Sequence, residues 1–475
     1  MSAIGATRLA GLLGTTAATP ARPTYEQVAE QVRVLVSDGR VPVGVRLPAE
    51  RDLAQALGCS RTTVAGAYRR LREGGWAHAH RGSGTWTRLP DRPGRRSGAW
   101  APDAESHDVL DLAHAAPPAP PQLASAVAAA GHMLPRELPG HGYHPGGLLG
   151  LRERIAERCT ARGLPSTPDN IVVTSGALHA LTTALSVITG PGDRVLTEHP
   201  TYPSALDAIA DAGARCVPVA DTGDLVEDLV RTARQTAPRA AYLVPDFHNP
   251  TGRLLGAEQR RRLARELVRE RVTTIVDETF AEVAIDGEPP LPLAAHTRSA
   301  HRVLTLGTLS KIVWGGLRLG WIRTDEELAA RLRTQVARSQ IAVPVLEQLT
   351  AWNLFEDLDA IREQRRPQLR EQRDDALALL AEHFPQWTVN RPAGGLFLWC
   401  QLPAPIATAL AATAESEGVR IAPGPRFGTG HAFDDHLRLP FNHPRETLVR
   451  ACEVLARSTR DLAPARGVRE RGTIV

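Results

Sequence analysis

Lysine is almost missing from this chain. Of its 56 Lys and Arg residues one is lysine, Lys311, and the other 55 are arginine. Arginine keeps its proton and cannot supply a free amine nucleophile, whereas lysine can, so amine chemistry has a single candidate position. Cysteine is also sparse: Cys59, Cys159, Cys216, Cys400 and Cys452 are odd in number and scattered. That spacing excludes a disulfide framework or a zinc site, and leads us to expect no metal and buried thiols in a reducing, cytoplasmic setting. No run of 18 uninterrupted apolar residues occurs, so neither a spanning helix nor a membrane partner is expected. The apolar stretch Leu9–Leu13 is too short, and its front too weakly basic, for a secretory leader.

What is present is globular in kind. Hydrophobic residues make up 43% and charged residues 23% of 475, which excludes wholesale disorder, and the length suits about three folding units. Charge is unevenly placed. Residues 1–96 hold 15 Arg against 7 Asp or Glu, whereas the whole chain is only +4, so the remainder is acidic. A basic head on an acidic body suits a polyanion at the head, although a solvated arginine-rich surface would give the same count.

Within the head, Tyr25, Val28, Val32, Leu35 and Val36 recur at helical spacing. A second short helix opens after Leu47-Pro48-Ala49-Glu50 with Leu53, Ala54 and Leu57 on one face. Gly58-Cys59-Ser60 turns the chain into a third helix, Arg61–Glu73, capped by Ser60, burying Val64, Ala67, Tyr68 and Leu71 and stopping at Gly74-Gly75. Helix, tight turn, helix places the second member in a major groove, with its first residues toward base edges. Trp76–His80 and Thr85–Arg88 read as two strands around Arg81-Gly82-Ser83-Gly84, a slender tip able to approach a phosphate or enter a minor groove. The run LPAERDLAQALGCSRTTVAGAYRRLREGGW…RGSGT resembles the winged helix-turn-helix of GntR-type bacterial repressors. The resemblance implies a double-stranded DNA operator as partner, touched by Arg51, Arg61, Thr62 and Thr63 and by the tip Arg81, Gly82, Ser83 and Gly84.

Residues 90–108 are rich in proline, glycine, serine and charge without periodicity, the composition of a flexible linker between a head at 1–89 and a body at 109–465. In the body, short apolar runs at 171–173, 194–196, 241–244, 274–276 and 303–306 alternate with helical patterns, which indicates an α/β fold with a mainly parallel central sheet. A helix over Ile361–Leu380 and a strand over Gly394–Leu402 belong to a smaller C-terminal α/β subdomain, about 350–465. The basic tail 466–475 reads as disordered.

The polar motifs follow the apolar runs, where ligands gather on such sheets. Pyridoxal phosphate would find each of its requirements met there. Its aldehyde needs an amine, which Lys311 provides. Its pyridine nitrogen needs an anion, a role for Asp277, whose alternative is a helix N-cap. Asn249 can donate to the ring's 3-oxygen and Tyr202 can face the ring. The phosphate needs N–H groups, hydroxyls and a forked cation: Ser175, Gly176 and Ala177 at a helix start, Thr308, Ser310 and Arg318.

Together NPTG at 249–252, DETF at 277–280 and Ser310-Lys311 followed by Arg318-Leu319-Gly320 resemble the fold-type I aminotransferases over roughly 109–465. The resemblance implies a homodimer in which Tyr143 reaches the neighbouring subunit's phosphate, and an Arg438 that grips an α-carboxylate; a surface ion pair is the other reading of Arg438. One departure stands out. The family's tyrosine three residues after the aspartate is here Phe280, and the tyrosine that fused regulators often carry two residues after it is Thr279. Loss of that donor to the 3-oxygen should weaken transamination more than cofactor binding.

Winged helix, linker and aminotransferase-like body in this order resemble the MocR subgroup of GntR regulators. The resemblance implies a regulator that senses pyridoxal phosphate, or an amino-compound effector, through Lys311, in the cytoplasm at the nucleoid. Movement of the small C-terminal subdomain would carry the signal to the heads. A working aminotransferase with a DNA-binding head, and a DNA-binding protein whose body serves only dimerisation, are the alternatives.

Overall fold

The computed structural model describes residues 3–14, 23–37, 40–80, 84–88, 109–297, 302–430 and 432–462. The linker 90–108, the tail 466–475 and Arg81, Gly82 and Ser83 of the hairpin tip lie outside them.

The head contains the three expected helices, Tyr25–Ser37, Glu50–Leu57 and Arg61–Glu73, and an antiparallel hairpin pairing Ala77–His80 with Gly84–Thr87. Ser60 caps the third helix, its hydroxyl accepting from the Thr63 N–H at 3.1 Å, and Val64, Ala67, Tyr68 and Leu71 are buried. The Tyr68 hydroxyl donates to Pro48 O at 2.9 Å, which fixes that helix against the entry to Glu50–Leu57. One further helix, Ala6–Gly14, spans the apolar stretch Leu9–Leu13. Leu9 and Leu13, one turn apart, are buried in the head core with Ile4, and the helix packs on Glu50–Leu57. A two-leucine stripe in nine residues is too weak a periodic signal to read alone.

In the body a seven-stranded sheet runs in the order Ile171–Thr174, Gly320–Arg323, Val303–Thr308, Thr273–Asp277, Ala240–Leu243, Arg194–His199 and Arg215–Ala220. Gly320–Arg323 is antiparallel to both neighbours and the other pairings are parallel, so the sheet is mainly parallel. Five strands contain the apolar runs read from the sequence. Arg215–Ala220 and Gly320–Arg323 are additional, because their short runs are interrupted by proline or charge. Gly307 lets Trp321 of the antiparallel strand lie over it, since a Cβ there would sit 2.3 Å from the indole.

A second sheet of five strands is ordered Thr388–Val389, Phe397–Gln401, His436–Pro440, Val419–Pro423 and Leu110–Leu112. The expected C-terminal helix is Leu358–His383 and the expected strand is Phe397–Gln401. The smaller sheet is closed by Leu110–Leu112, from the start of the body, parallel to Val419–Ile421 at its edge. It therefore draws on both ends of the body, which no contiguous segmentation of the chain at 350–465 conveys.

Candidate functional site

Asp277, Thr308 and Ser175 sit at or just past a strand's carboxyl end because the parallel sheet delivers those ends to one edge. Asp277 is the last residue of Thr273–Asp277, Thr308 the last of Val303–Thr308, and Ser175 follows Ile171–Thr174. Asp277 is 7% exposed and its carboxylate is engaged on both oxygens. Oδ1 accepts from the Thr279 N–H at 2.9 Å, and Oδ2 accepts from the Tyr242 hydroxyl at 2.6 Å. No helix directly follows Asp277, so it is no helix N-cap. The sequence marks Tyr242 only as part of a strand; it is wholly buried, and burial together with Asp277 holds its phenol well above the ordinary range. No motif marks its role, because its partner lies on the next strand, at a position only the parallel register settles.

Lys311 follows the same edge. Its Nζ donates to Ala115 O at 2.7 Å and lies 5.8 Å from the Phe280 ring centre. Desolvation first, then the charges of Arg438 and Arg318, with Asp277 opposing them, pull the amine down to about 8. A lysine so depressed carries a usable free-base fraction near neutral pH, which a nucleophilic amine requires.

Arg438, on the strand His436–Pro440, is 4% exposed. Its Nη1 donates to Asn249 Oδ1 at 3.1 Å and its Nη2 to Ala113 O, while the guanidinium lies over the Phe397 and Phe427 rings at 5.2 and 4.9 Å. Burial lowers its pKa to about 10. Both hydrogen-bond acceptors are neutral oxygens and its Nε is buried without one, so the surface ion pair is ruled out for this residue. A buried guanidinium so placed favours an incoming carboxylate. Because Asn249 Oδ1 accepts from Arg438, its Nδ2 is left to donate elsewhere. Tyr202 is mostly enclosed, and desolvation raises its phenol with Asp277 nearby.

The phosphate candidates are brought together in part. Gly176, at φ +91°, starts the helix Ala177–Ile188, and Arg318 packs against it so closely that a Cβ would lie 2.7 Å from Nη2. Arg318 Nη2 donates to Ser175 O at 3.2 Å. Gly320 admits the same turn, since a Cβ there would fall 2.7 Å from the Gly176 carbonyl carbon. Thr308 Oγ1 donates to Leu319 O at 2.6 Å and lies 2.9 Å from Ser310 Oγ. Ser175 is already engaged: its hydroxyl donates to Gln340 Oε1 at 2.9 Å and its N–H to His179 Nδ1 at 3.2 Å. The first-turn N–H of Ala177 has no carbonyl within its helix to reach.

Tyr143 is not part of this cluster. It is 56% exposed, its ring 5.3 Å from that of His141. Phe280 is buried edge-on to Phe397, and the Thr279 hydroxyl is buried without a partner. Neither side chain presents a phenol. On the head, Arg51, Arg61 and Thr62 are exposed and Thr63 is half-buried. Arg61 Nε donates to Glu50 at 3.2 Å, and Ser60 Oγ lies 2.7 and 2.8 Å from the Thr62 and Thr63 hydroxyls. Gly84 opens the second hairpin strand.

A model of aminotransferases of class I and II matches residues 111–455. The chain belongs to that family. A model of bacterial regulatory proteins of the gntR family matches residues 24–86, so the head is a GntR-type DNA-binding domain and the order of the two modules is that of MocR-type regulators. An uncharacterized HTH-type transcriptional regulator of Escherichia coli, YdcR, is 29% identical over 447 residues, covering 87% of this chain and 94% of that protein. The probable rhizopine catabolism regulatory protein MocR of Rhizobium meliloti is 27% identical, covering 79% and 81%. Among solved structures, LysN, the α-aminoadipate aminotransferase of Thermus thermophilus complexed with N-(5'-phosphopyridoxyl)-L-leucine, superposes with a TM-score of 0.69 at 27% identity, over 75% of this chain and 93% of that one.

Proposed function

We propose that this chain is a DNA-binding transcriptional regulator whose aminotransferase-like body binds pyridoxal phosphate and an amino compound. The observation that carries the reading is the convergence of a depressed amine and a buried carboxylate at the carboxyl edge of the large sheet with a buried guanidinium from the smaller one. The donor set fits this cofactor: Lys311 for the aldehyde, Asp277 for the pyridine nitrogen, Asn249 for the 3-oxygen and Tyr202 for the ring. Ser175, Gly176, Ala177, Thr308, Ser310 and Arg318 would serve the phosphate. When bound, the cofactor supplies an electrophilic carbon and an electron sink for amino compounds.

The residues' own work is binding and orientation. Tyr242 and the Thr279 N–H hold Asp277 in place, and Arg438 selects ligands that carry a carboxylate. Phe280 offers no hydroxyl to the 3-oxygen, which favours sensing over turnover. Arg51, Arg61, Thr62, Thr63 and the tip Arg81, Gly82, Ser83 and Gly84 would meet operator DNA.

A homodimer is part of the proposal. Leu138, Tyr143, Leu149, Ile341 and Leu346 are large apolar residues left exposed, and they sit on or beside helices that pack together, Gln122–Met133, Leu149–Ala161 and Val345–Glu356. A second copy would cover them and bring Tyr143 to its neighbour's phosphate. Among the described residues no helix is long and apolar enough to cross a membrane, and the proposed place of action is the cytoplasm, at the nucleoid.

The decisive experiment is a visible absorption spectrum of the purified chain titrated with pyridoxal phosphate, for the native protein and Lys311→Ala. A new band in the first and none in the second supports the reading, and a colourless native protein refutes it. Operator binding should weaken steeply with salt; robust transamination with salt-insensitive DNA binding would favour an enzyme instead.

A further inference from the structure

Between the strand Leu110–Leu112 and the helix Gln122–Met133 the chain crosses the site as a strap, residues 113–118. Four of its carbonyls are held by side chains of the body. Ala113 O accepts from Arg438 Nη2, Ala115 O from Lys311 Nζ at 2.7 Å, Ala116 O from Asn442 Nδ2 at 3.0 Å, and Pro118 O from Arg365 Nη2. The first two donors are the cations that the proposed ligands need. The other two are anchors: Arg365, itself buried, also donates to Val313 O at 3.3 Å and so ties the strap to the loop that carries Lys311.

The upstream end is held by few hydrogen bonds, with Leu112 and Ala113 supplying its buried contacts. Leu110–Leu112 is a three-residue strand at a sheet edge, bonded to Val419–Ile421 alone among strands, and the Ala113 N–H is turned back onto Asp111 Oδ1 at 2.8 Å. Short edge segments with few ladder bonds open at little free-energy cost. Downstream, Pro117, Pro118, Pro120 and Pro121 restrict the backbone and lack N–H donors, so displacement at 113–116 is passed toward the edge strand more readily than absorbed beyond it. Through residues 89–108 that strand leads covalently to the DNA-binding head.

We propose that the strap couples the site to the head. A ligand carboxylate at Arg438 and a ligand group at the Lys311 amine displace the carbonyls of Ala113 and Ala115, because a guanidinium binds a carboxylate more strongly than a neutral carbonyl. The loosened strap then lowers the hold on Leu110–Leu112 and alters the tether of the head. The proposal rests on the functional reading above and deepens it. The message leaves by the N-terminal edge of the smaller sheet, with no need for that subdomain to swing as a whole.

The test is hydrogen–deuterium exchange on the full chain, alone, with pyridoxal phosphate, and with N-(5'-phosphopyridoxyl)-L-alanine, which joins ring, phosphate and α-carboxylate in one molecule. Binding is followed independently, by absorbance for pyridoxal phosphate and by equilibrium dialysis for the reduced conjugate, which has no aldehyde to react with Lys311. Exchange across 110–113 should quicken about tenfold for each charge-assisted hydrogen bond given up, while the interior strand Thr273–Asp277 stays protected. Arg365→Gln and Asn442→Ala, which loosen the strap without touching either cation, should speed the same amides without ligand and move operator affinity toward the ligand-bound value. Bound probe with unchanged exchange at 110–113 would overturn the coupling and leave the cofactor reading intact. Loosened variants that bind operator as the native chain does would overturn it equally. Absence of any absorbance change would remove the cofactor reading, and the coupling with it.

Discussion

The depressed amine of Lys311 makes a prediction that can be worked through in numbers. An ordinary lysine titrates near 10.4, and at pH 7.5 roughly one molecule in a thousand carries the free base. With the amine at about 8, about a quarter does, so capture of an aldehyde should be on the order of a hundredfold faster than an exposed lysine allows. The rate of pyridoxal phosphate uptake, read by stopped-flow absorbance, should climb about tenfold per pH unit below 8 and level off above it. Desolvation is the largest cause and the Arg438 charge the next, so Arg438→Gln should move the plateau to higher pH without restoring an ordinary lysine. The sign for stability follows from the same shift. The folded amine releases its proton near 8 while the unfolded one keeps it to about 10.4, so this group makes the fold more stable as pH rises through that window. Uptake that goes on climbing tenfold per unit past pH 9.5, or a plateau unmoved by Arg438→Gln, would refute the reasoning.

Three further outcomes are expected. Tyr242→Phe removes the donor to Asp277 Oδ2, and equilibrium titration should show cofactor affinity falling about tenfold, the worth of one hydrogen bond to a charged group. Arg260 and Asp246 form a pair at 2.8 Å with both side chains wholly buried. Arg260→Ala strands the carboxylate and should cost about 3–5 kcal/mol of body stability in calorimetry; a loss under about 1 kcal/mol would show the pair to be solvated. Ser60→Ala deletes the cap on the Thr63 N–H and should cost the head about 1 kcal/mol, seen as earlier thermal unfolding of the head and weaker operator binding in gel shifts.

Much of the head and of the large sheet is legible in the chain itself. The head's helices are readable because Val28, Val32, Leu35, Leu53, Val64 and Leu71 recur at helical spacing and Ser60 and Gly74 punctuate them. The five anticipated strands are short, mostly apolar runs rich in valine, leucine and isoleucine. Arg215–Ala220 and Gly320–Arg323 escape such a reading where proline or arginine limits the run, and Ala6–Gly14 because a nine-residue segment repeats its apolar spacing too few times.

The identities of the chemical groups are local facts. A lone lysine after a serine, an aspartate closing an apolar run and an asparagine in a turn carry their chemistry whatever surrounds them, so Lys311, Asp277 and Asn249 can be named from the chain alone. Their state is not local. A titration near 8 needs the burial and two guanidiniums that only folding brings to Lys311. The bond from Tyr242 to Asp277 needs strands 35 residues apart to pair in one register. The strap's hold on Lys311 and Arg438 joins residues roughly 200 and 325 positions apart, separations over which no pattern along the chain carries information. Composition and motif decided which reagents the protein owns; the tertiary structure decided how each is charged, what holds it, and which carbonyls a ligand must displace.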